Sequence, residues 1–401
     1  MQPAAISGTD GLVLSIVMPC LNEAETLATC IAMAKKGIED AGVSGEIIIA
    51  DNGSTDGSQR IAEELGARVV PVADKGYGCA LRGGIEASRG RYLLMGDSDA
   101  SYDFGQAKRF VEKLGEGHDL VMGCRLPAGG GTIMPGAMPW KNRWLGNPVL
   151  SFIGRLLYTT PARDFHCGLR AFTREAYDRM ELVTTGMEFA SEMVMKASLG
   201  QMRMAEVPIT LHKDGRSRPP HLRPWRDGWR HLRFMLLYAP RWLFLMPGLL
   251  LALAGAVASI ALYCAPLSFF GVELDAGSLA MSCAALIAGV QLVAFACFSK
   301  TFGIGAGVLP PDPAFSRIFK VFTLERGIIA GLVVFLGGLG LLGWALWCWR
   351  SVGFGHLSHA ENLRRTIGSA TLLVLGIQII FGSFFMSVLG LKTTKRRPPE
   401  A

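Results

Sequence analysis

Two aspartates one residue apart, Asp97 and Asp99, follow the apolar run 91–96 of this 401-residue chain. Alternate residues leaving a strand can turn two hard carboxylate oxygens toward one divalent cation, and a cation so held can also take the oxygens of a diphosphate. A solitary D-x-D is a common surface turn. Here it stands in GDSDASYDF, and two other apolar runs also end in polar side chains. The first gives Pro19, Asn22 and Glu23, and the second gives Asp51 and Asp56. A carboxylate at a strand end is placed to accept hydrogen bonds from a nucleobase or a ribose. Local readings stand beside this one. Asn22 can cap the helix that follows, with Glu25 three residues on, and Asp51 and Asp56 can be turn formers around Gly53.

The elements that must hold these residues together follow from the hydrophobic pattern. Apolar runs bounded by turn residues predict strands at 13–18, 46–50, 67–72, 91–96 and 119–123. Helical patterns at 23–36, 57–65, 77–88 and 106–114 lie between most of them, which predicts βαβ units and a mostly parallel, Rossmann-like α/β sheet. Ligands gather at the strand C-termini of such a sheet, the edge where these polar residues fall. The bend Lys75-Gly76-Tyr77-Gly78 lacks the third glycine of a dinucleotide fingerprint, since Leu81 stands in its place. It reads either as a backbone bend near a diphosphate or as a tight turn opening a helix.

Half of the residues are apolar and only 18% are charged, too greasy for an ordinary soluble enzyme. The excess lies after Tyr238. Four stretches, 243–262, 278–298, 327–347 and 367–389, are long enough to cross a bilayer. Eight Lys or Arg lie from Lys213 to Arg241, four more join the second stretch to the third, and the tail carries KTTKRR. By the positive-inside rule both termini are cytosolic in an inner, cytoplasmic membrane, although Arg350, Arg364 and Arg365 on the opposite side weaken the asymmetry. The resulting division is an α/β domain at 11–212, a basic amphipathic juxtamembrane segment at 213–242, a four-helix transmembrane domain at 243–392 and a basic cytosolic tail at 393–401. The spans hold no clear intramembrane charge, which argues against a transporter. The opening residues have no signal-peptide pattern, so the N-terminal half is expected in the cytosol. Nine scattered cysteines without a C-x-x-C read as reduced thiols.

In order along the chain, VMPCLNEAETL, IIIADNGSTDGS, KGYGCALRGG, GDSDASYDF, VMGCR and DFHCGLRAF resemble the family 2 glycosyltransferases of the GT-A fold. More narrowly they resemble the polyprenyl-phosphate hexose synthases of the dolichol-phosphate-mannose and dolichol-phosphate-glucose type, over about 12–210. The resemblance implies that Pro19, Asn22, Glu23 and Asp51 line a nucleoside pocket, with Lys75 joining the donor-binding set. It implies that Asp97 and Asp99 hold Mg2+ or Mn2+ with the diphosphate, and that Arg125 and Arg170 match arginines of the donor and acceptor-phosphate region. Two departures stand out. Ser101 replaces a glutamine that helps near the metal in relatives, and the Q-x-x-R-W signature of processive synthases is missing, Arg241-Trp242 lacking its glutamine.

A chemical argument also favours a phosphate acceptor. A hydroxyl needs a general base to attack, whereas a lipid phosphate is anionic at neutral pH and needs positioning and charge screening. Arg125, Arg143 and Arg170 suit that task. The expected reaction is transfer of a hexose, glucose from UDP-glucose first and mannose from GDP-mannose next, to a polyprenyl or dolichyl phosphate with inversion. The alternatives are a neutral lipid acceptor, for which Asp164 is the candidate base, and a non-catalytic nucleotide-binding membrane subunit. Glu188 and Glu192 read equally as sugar contacts or as a packed helix. Expected partners are the nucleotide sugar, the lipid phosphate and the membrane, with no nucleic acid and homo-oligomerisation left open.

Overall fold

The computed structural model describes residues 11–217, 224–264, 267–269, 272–307, 309–321, 323–354 and 359–391. The tail at 393–401 and the stretch 218–223 of the basic segment lie outside them. The chain divides into two units, Met1–Met235 and Leu236–Ala401.

The first unit is built on a seven-stranded sheet in the order β3-β2-β1-β4-β7-β5-β8. Strands β1 (Leu14–Cys20), β2 (Gly45–Asp51), β3 (Arg68–Pro71) and β4 (Tyr92–Met95) are parallel. β5 (Leu120–Cys124) pairs in parallel with β8 (Met204–Pro208), and β7 (Arg170–Thr173) runs antiparallel between β4 and β5. A separate short pair joins β6 (Thr132–Ile133) to β9 (Thr210–Leu211). The helices are α1 (Leu27–Ala41), α2 (Ser58–Glu64), α3 (Tyr77–Ala87), α4 (Ala107–Gly115), α5 (Asn147–Tyr158), α6 (Arg174–Met180), α7 (Glu188–Leu199) and α8 (Pro224–Leu237).

β1 is apolar without alternation because both its faces are covered. Leu14, Ile16 and Met18 join Leu27, Cys30, Ile31, Phe104 and Phe110 in one core. Val17 faces the other side, where α3 comes so near that a Cβ on Gly84 would sit 2.6 Å from its Cγ1. The five expected strands and four expected helices are all present, most shifted by a residue or two. The short pair β6 and β9 went unforeseen, and so did two strands of the seven-stranded sheet: β7 has only four residues, and β8 reads MAEVP, with a proline at its end.

Among the described residues of the second unit four helices are long and apolar enough to cross a membrane: Arg241–Cys264, which includes α9 (Met246–Cys264), α10 (Ala276–Gly305), α12 (Leu324–Ser351) and Asn362–Leu389 within α13 (His359–Leu389). α11 (Pro313–Val321) is short. These spans outrun the expected stretches because helical hydrogen bonding continues past the apolar core into residues such as Lys300 and Glu325. Where spans cross, glycines let backbones touch. A Cβ on Gly289 would lie 2.2 Å from Ala252 N, and one on Gly376 would lie 2.8 Å from Gly331 O.

Helix α1 depends on the same device, since a Cβ on Gly37 would lie 2.1 Å from Phe104 O. Gly37→Ala should therefore destabilise the protein by about 2 kcal/mol through overpacking, read as a lower unfolding temperature of the purified full chain. Gly115→Ala, with no atom within 4 Å of the new Cβ, should leave it unchanged or raised.

Candidate active site

Cys20 and Asp51 are in register at the ends of β1 and β2, so the loops that follow meet at one edge. The β1 loop folds onto the β2 loop before α1 begins. Asn22 N, Glu23 N and Ala24 N donate to Ser54 Oγ, Ser58 Oγ and Asp56 Oδ2, each at 2.9 Å. These contacts delay α1 to Leu27, and Asn22 is not its cap. Asn22 instead sits at φ +59° and accepts from Thr55 N at 2.8 Å. Glu25 closes no capping box either, and accepts from Ser217 N and Oγ at 2.8 and 2.6 Å.

Asp51 is 2% exposed and accepts from Gly53 N at 3.1 Å, Ser54 N at 3.1 Å and Gln59 Nε2 at 2.6 Å. Burial opposes its charge, but the hydrogen bonds from Ser54, Gln59 and Gly53 outweigh it and hold the carboxyl below its ordinary value. Asp51 thus organises the turn at the edge. Lys75 Nζ donates to Asn52 O at 2.5 Å and Gly76 N donates to Asn52 Oδ1 at 2.8 Å, which ties the glycine-rich bend to the same loop. Ser98 Oγ donates to Pro19 O at 2.7 Å and brings the D-S-D turn alongside.

Asp97 Oδ1 accepts from Tyr77 OH at 2.9 Å, and Asp99 Oδ1 accepts from Ser101 N at 3.0 Å and Ser101 Oγ at 2.5 Å. Arg216 bridges the edge. Its Nε and Nη2 reach Glu23 at 2.9 and 2.8 Å, and Nη2 lies 3.4 Å from Asp99 Oδ2. Burial, with the negative charge of Asp99 behind it, pushes the Asp97 carboxyl up to about 6, against the Tyr77 hydrogen bond and the charges of Arg216 and Arg125. Two carboxylates crowded in a desolvated place are what a divalent cation would relieve, so the donor set fits one. No group of three His, Cys, Asp or Glu forms a fuller cluster among the described residues. Ser101 spends its hydroxyl on Asp99.

Arg125 and Asp164 form a buried pair. Arg125 Nε, Nη2 and backbone N donate to the carboxylate at 2.7, 2.8 and 2.9 Å, and Asp164 is 0% exposed. Burial works against the Arg125 charge, but Asp164 more than restores it. Asp164 is thus no free base, contrary to what the neutral-acceptor reading requires. Arg170 is also 0% exposed, and its guanidinium donates to Cys167 O and Ala190 O, so it clamps the 164–170 loop to α7 rather than opening toward a ligand. Glu192 accepts from Val183 N, Thr184 N and Thr184 Oγ1 and pairs with Lys196, which makes it a packing residue of α7. Glu188 pairs with Arg230 at 2.8 Å. Arg143 lies over the ring of its neighbour Trp144, 5.4 Å from the centroid, and no described contact links it to Asp97 or Asp99.

Residues 15–180 match the model of glycosyl transferase family 2, and residues 297–390 match the glycosyltransferase family 2 C-terminal transmembrane region. The low-salt glycan biosynthesis hexosyltransferase Agl6 of Haloferax volcanii is 37% identical over 386 residues, covering 94% of this chain and 89% of Agl6. The chain belongs to glycosyltransferase family 2. A dolichyl-phosphate hexose transferase of the same organism is 29% identical over 196 residues, 49% of this chain and 81% of that protein. A crystal structure of Mycobacterium tuberculosis glucosyl-3-phosphoglycerate synthase with Mn2+ and UDP overlaps at a TM-score of 0.42 and 22% identity, over 57% of this chain and 78% of that one. That overlap is too loose to transfer any contact.

This family 2 glycosyltransferase therefore joins a GT-A catalytic domain to an integral membrane region. Within the GT-A site the sequence reading missed Arg216 and Tyr77. Tyr77 follows from the bend, whose Gly76 and Gly78 approach Thr185 O and Thr184 O and turn α3 toward Asp97. Arg216 lies in a short polar stretch after β9 with no periodicity to mark it.

Two outcomes follow for the glycosyltransferase. In EDTA its stability should rise as the pH falls from about 6 toward the ordinary aspartate value, because protonating Asp97 removes the repulsion with Asp99. Asp97→Asn should abolish that rise and lift the melting temperature at neutral pH. Arg125→Met should cost about 3–5 kcal/mol by stranding the buried Asp164 charge. Adding Asp164→Leu should recover much of that stability in chemical denaturation, but not the activity.

Proposed function

We propose that this enzyme transfers one hexose from a nucleotide sugar, UDP-glucose first and GDP-mannose next, to a polyprenyl or dolichyl-type phosphate, with inversion and with Mg2+ or Mn2+. The observation that carries this reading is the commitment of Asp164 to Arg125. A hydroxyl acceptor needs a base at the site, whereas a phosphate monoester arrives ionised. Glu23 and Glu192 are likewise tied, to Arg216 and Lys196. The name of the similar hexosyltransferase supports a hexose as the group transferred, and that of the dolichyl-phosphate hexose transferase supports the acceptor class. The basic connections of the membrane region support a catalytic domain and both termini on the cytosolic side of a cytoplasmic membrane.

In this reading the nucleoside rests on the edge formed by Pro19, Asn22, Glu23 and Asp51, with Lys75 at the bend beside it. Asp97 and Asp99 would hold the cation, which when bound neutralises charge on the departing diphosphate. A phosphate oxygen of the acceptor attacks the anomeric carbon from the face opposite the leaving group. The bond to the nucleoside diphosphate breaks as the new one forms, and the single displacement inverts the centre. Arg125, its guanidinium oriented by Asp164, and the half-buried Arg143 are the proposed acceptor-phosphate cations, and Arg170 fixes the loop that carries Asp164.

The test is transfer of label from UDP-glucose, GDP-mannose and UDP-N-acetylglucosamine to polyprenyl phosphate by the purified full chain. One donor should give a charged lipid-linked monosaccharide, lost in EDTA and lowered about 100-fold or more by Asp99→Asn. Product on a neutral lipid but none on polyprenyl phosphate would overturn the acceptor assignment.

A further inference from the structure

The segment leading into α5 and the outer face of α5 carry a stripe of large apolar side chains that nothing in the N-terminal unit covers. Trp140 is 70% exposed, Trp144 63%, Leu145 55%, Val149 43%, Phe152 59% and Leu156 48%. The last four recur at the spacing of one helix face. Their exposure matches that of span residues such as Leu250 at 70%, Val257 at 62% and Phe381 at 66%. A patch of this kind on a water-soluble domain marks an interaction surface.

The helix does not need this stripe to stay in place, because its opposite face is fixed. Phe165 N donates to Ser151 Oγ at 3.2 Å, a Cβ on Gly154 would lie 2.6 Å from the Phe165 ring, and Tyr158 OH donates to Met235 O. Phe165 belongs to the loop that also supplies Asp164 to Arg125. The same loop sets Gly168 against Asp97, where a Cβ would lie 3.0 Å from Oδ2. The outer stripe and the reaction site are thus two sides of one short stack.

Charge selects the occupant. From Arg125 to Arg163 the sequence contains no Asp or Glu, while Lys141, Arg143 and Arg155 lie along the exposed segment. Two copies meeting through this patch would set those cations against one another. An anionic bilayer surface takes both features at once, the cations among headgroups and the Trp, Leu and Phe side chains at the acyl boundary. The chain also carries its own membrane region.

We propose that the 140–156 face is seated in the interfacial layer of an anionic bilayer, and that this seating selects acceptor phosphates presented by the lipid surface over those free in water. The second clause rests on the reaction proposed above. The full chain is reconstituted in nanodiscs of phosphatidylglycerol and phosphatidylcholine with Phe152→p-benzoylphenylalanine, and with Lys108→p-benzoylphenylalanine as the exposed control on α4. Irradiation should attach phospholipid at position 152 and not at 108. Equal labelling at the two positions, or cross-linking of 152 to a second copy, would overturn the seating.

The selection clause is read with Leu145→Glu/Phe152→Glu, positions more than half exposed, whose melting should stay at the wild-type value. Transfer to polyprenyl phosphate in the nanodisc should fall about tenfold, while transfer to a water-soluble short-chain alkyl phosphate is unchanged. Equal loss on both acceptors would refute the selection. Should the wild type glycosylate neither, the proposed reaction falls and the cross-link still decides the seating.

Discussion

The crowding of Asp97 and Asp99 is the constraint around which the catalytic unit is arranged. Parallel strands that end together create an edge where backbone groups point at a ligand, but they also bring acidic loops into contact. The protein tolerates the resulting repulsion by giving each carboxylate a donor of its own, Tyr77 for Asp97 and Ser101 for Asp99. Arg216 is shared between Asp99 and Glu23. The compensation is partial, since Asp97 remains pushed up to about 6 by burial and by its neighbour. A site left short of positive charge is the state that binds a cation and a diphosphate together.

A second tier of charge keeps that first tier in place. Arg125 and Asp164 neutralise one another in the interior, and such a pair adds little stability over apolar residues but is costly to break on one side. Its effect is positional. Asp164 lies in the same loop as Gly168, whose backbone packs on Asp97, and Arg170 holds that loop by its carbonyls. Three residues read from the sequence as chemical groups thus divide into one cation near the site, one carboxylate that orients it, and one buried strut.

Much of this was legible in the sequence because it is local. The runs that became β1, β2, β4 and β5 are buried on both faces and so read as continuous apolar strings, and D-S-D directly follows one of them. The four spans were visible for the same reason, as length and hydropathy need no partner to be recognised. What could not be read is what depends on distant residues. Asn22 looked like a cap because Glu25 follows at the right spacing. The structure spends both on contacts 33 and 192 residues away, with Thr55 and Ser217. Arg216 reaches Glu23 across 193 residues. β7 escaped notice because its antiparallel place between β4 and β5 is a property of the sheet, not of the four residues R-A-F-T.

Glycine shows how the two solvents change what a residue type means. In the catalytic unit, hydrophobic burial already drives α3 and α1 onto the sheet, and Gly84 and Gly37 merely let them arrive at the right distance from Val17 and Phe104. In the membrane unit burial against lipid tails provides no comparable drive, because a leucine is equally at home in either. Association there has to come from close contact, and that contact is supplied where Gly289 meets Ala252 and where Gly331 and Gly376 face each other's carbonyls. Ser259 and Ser282 add a hydrogen bond at 3.0 Å between α9 and α10. The apolar residues of the spans fix that they are in the membrane. The small ones determine which helix lies against which.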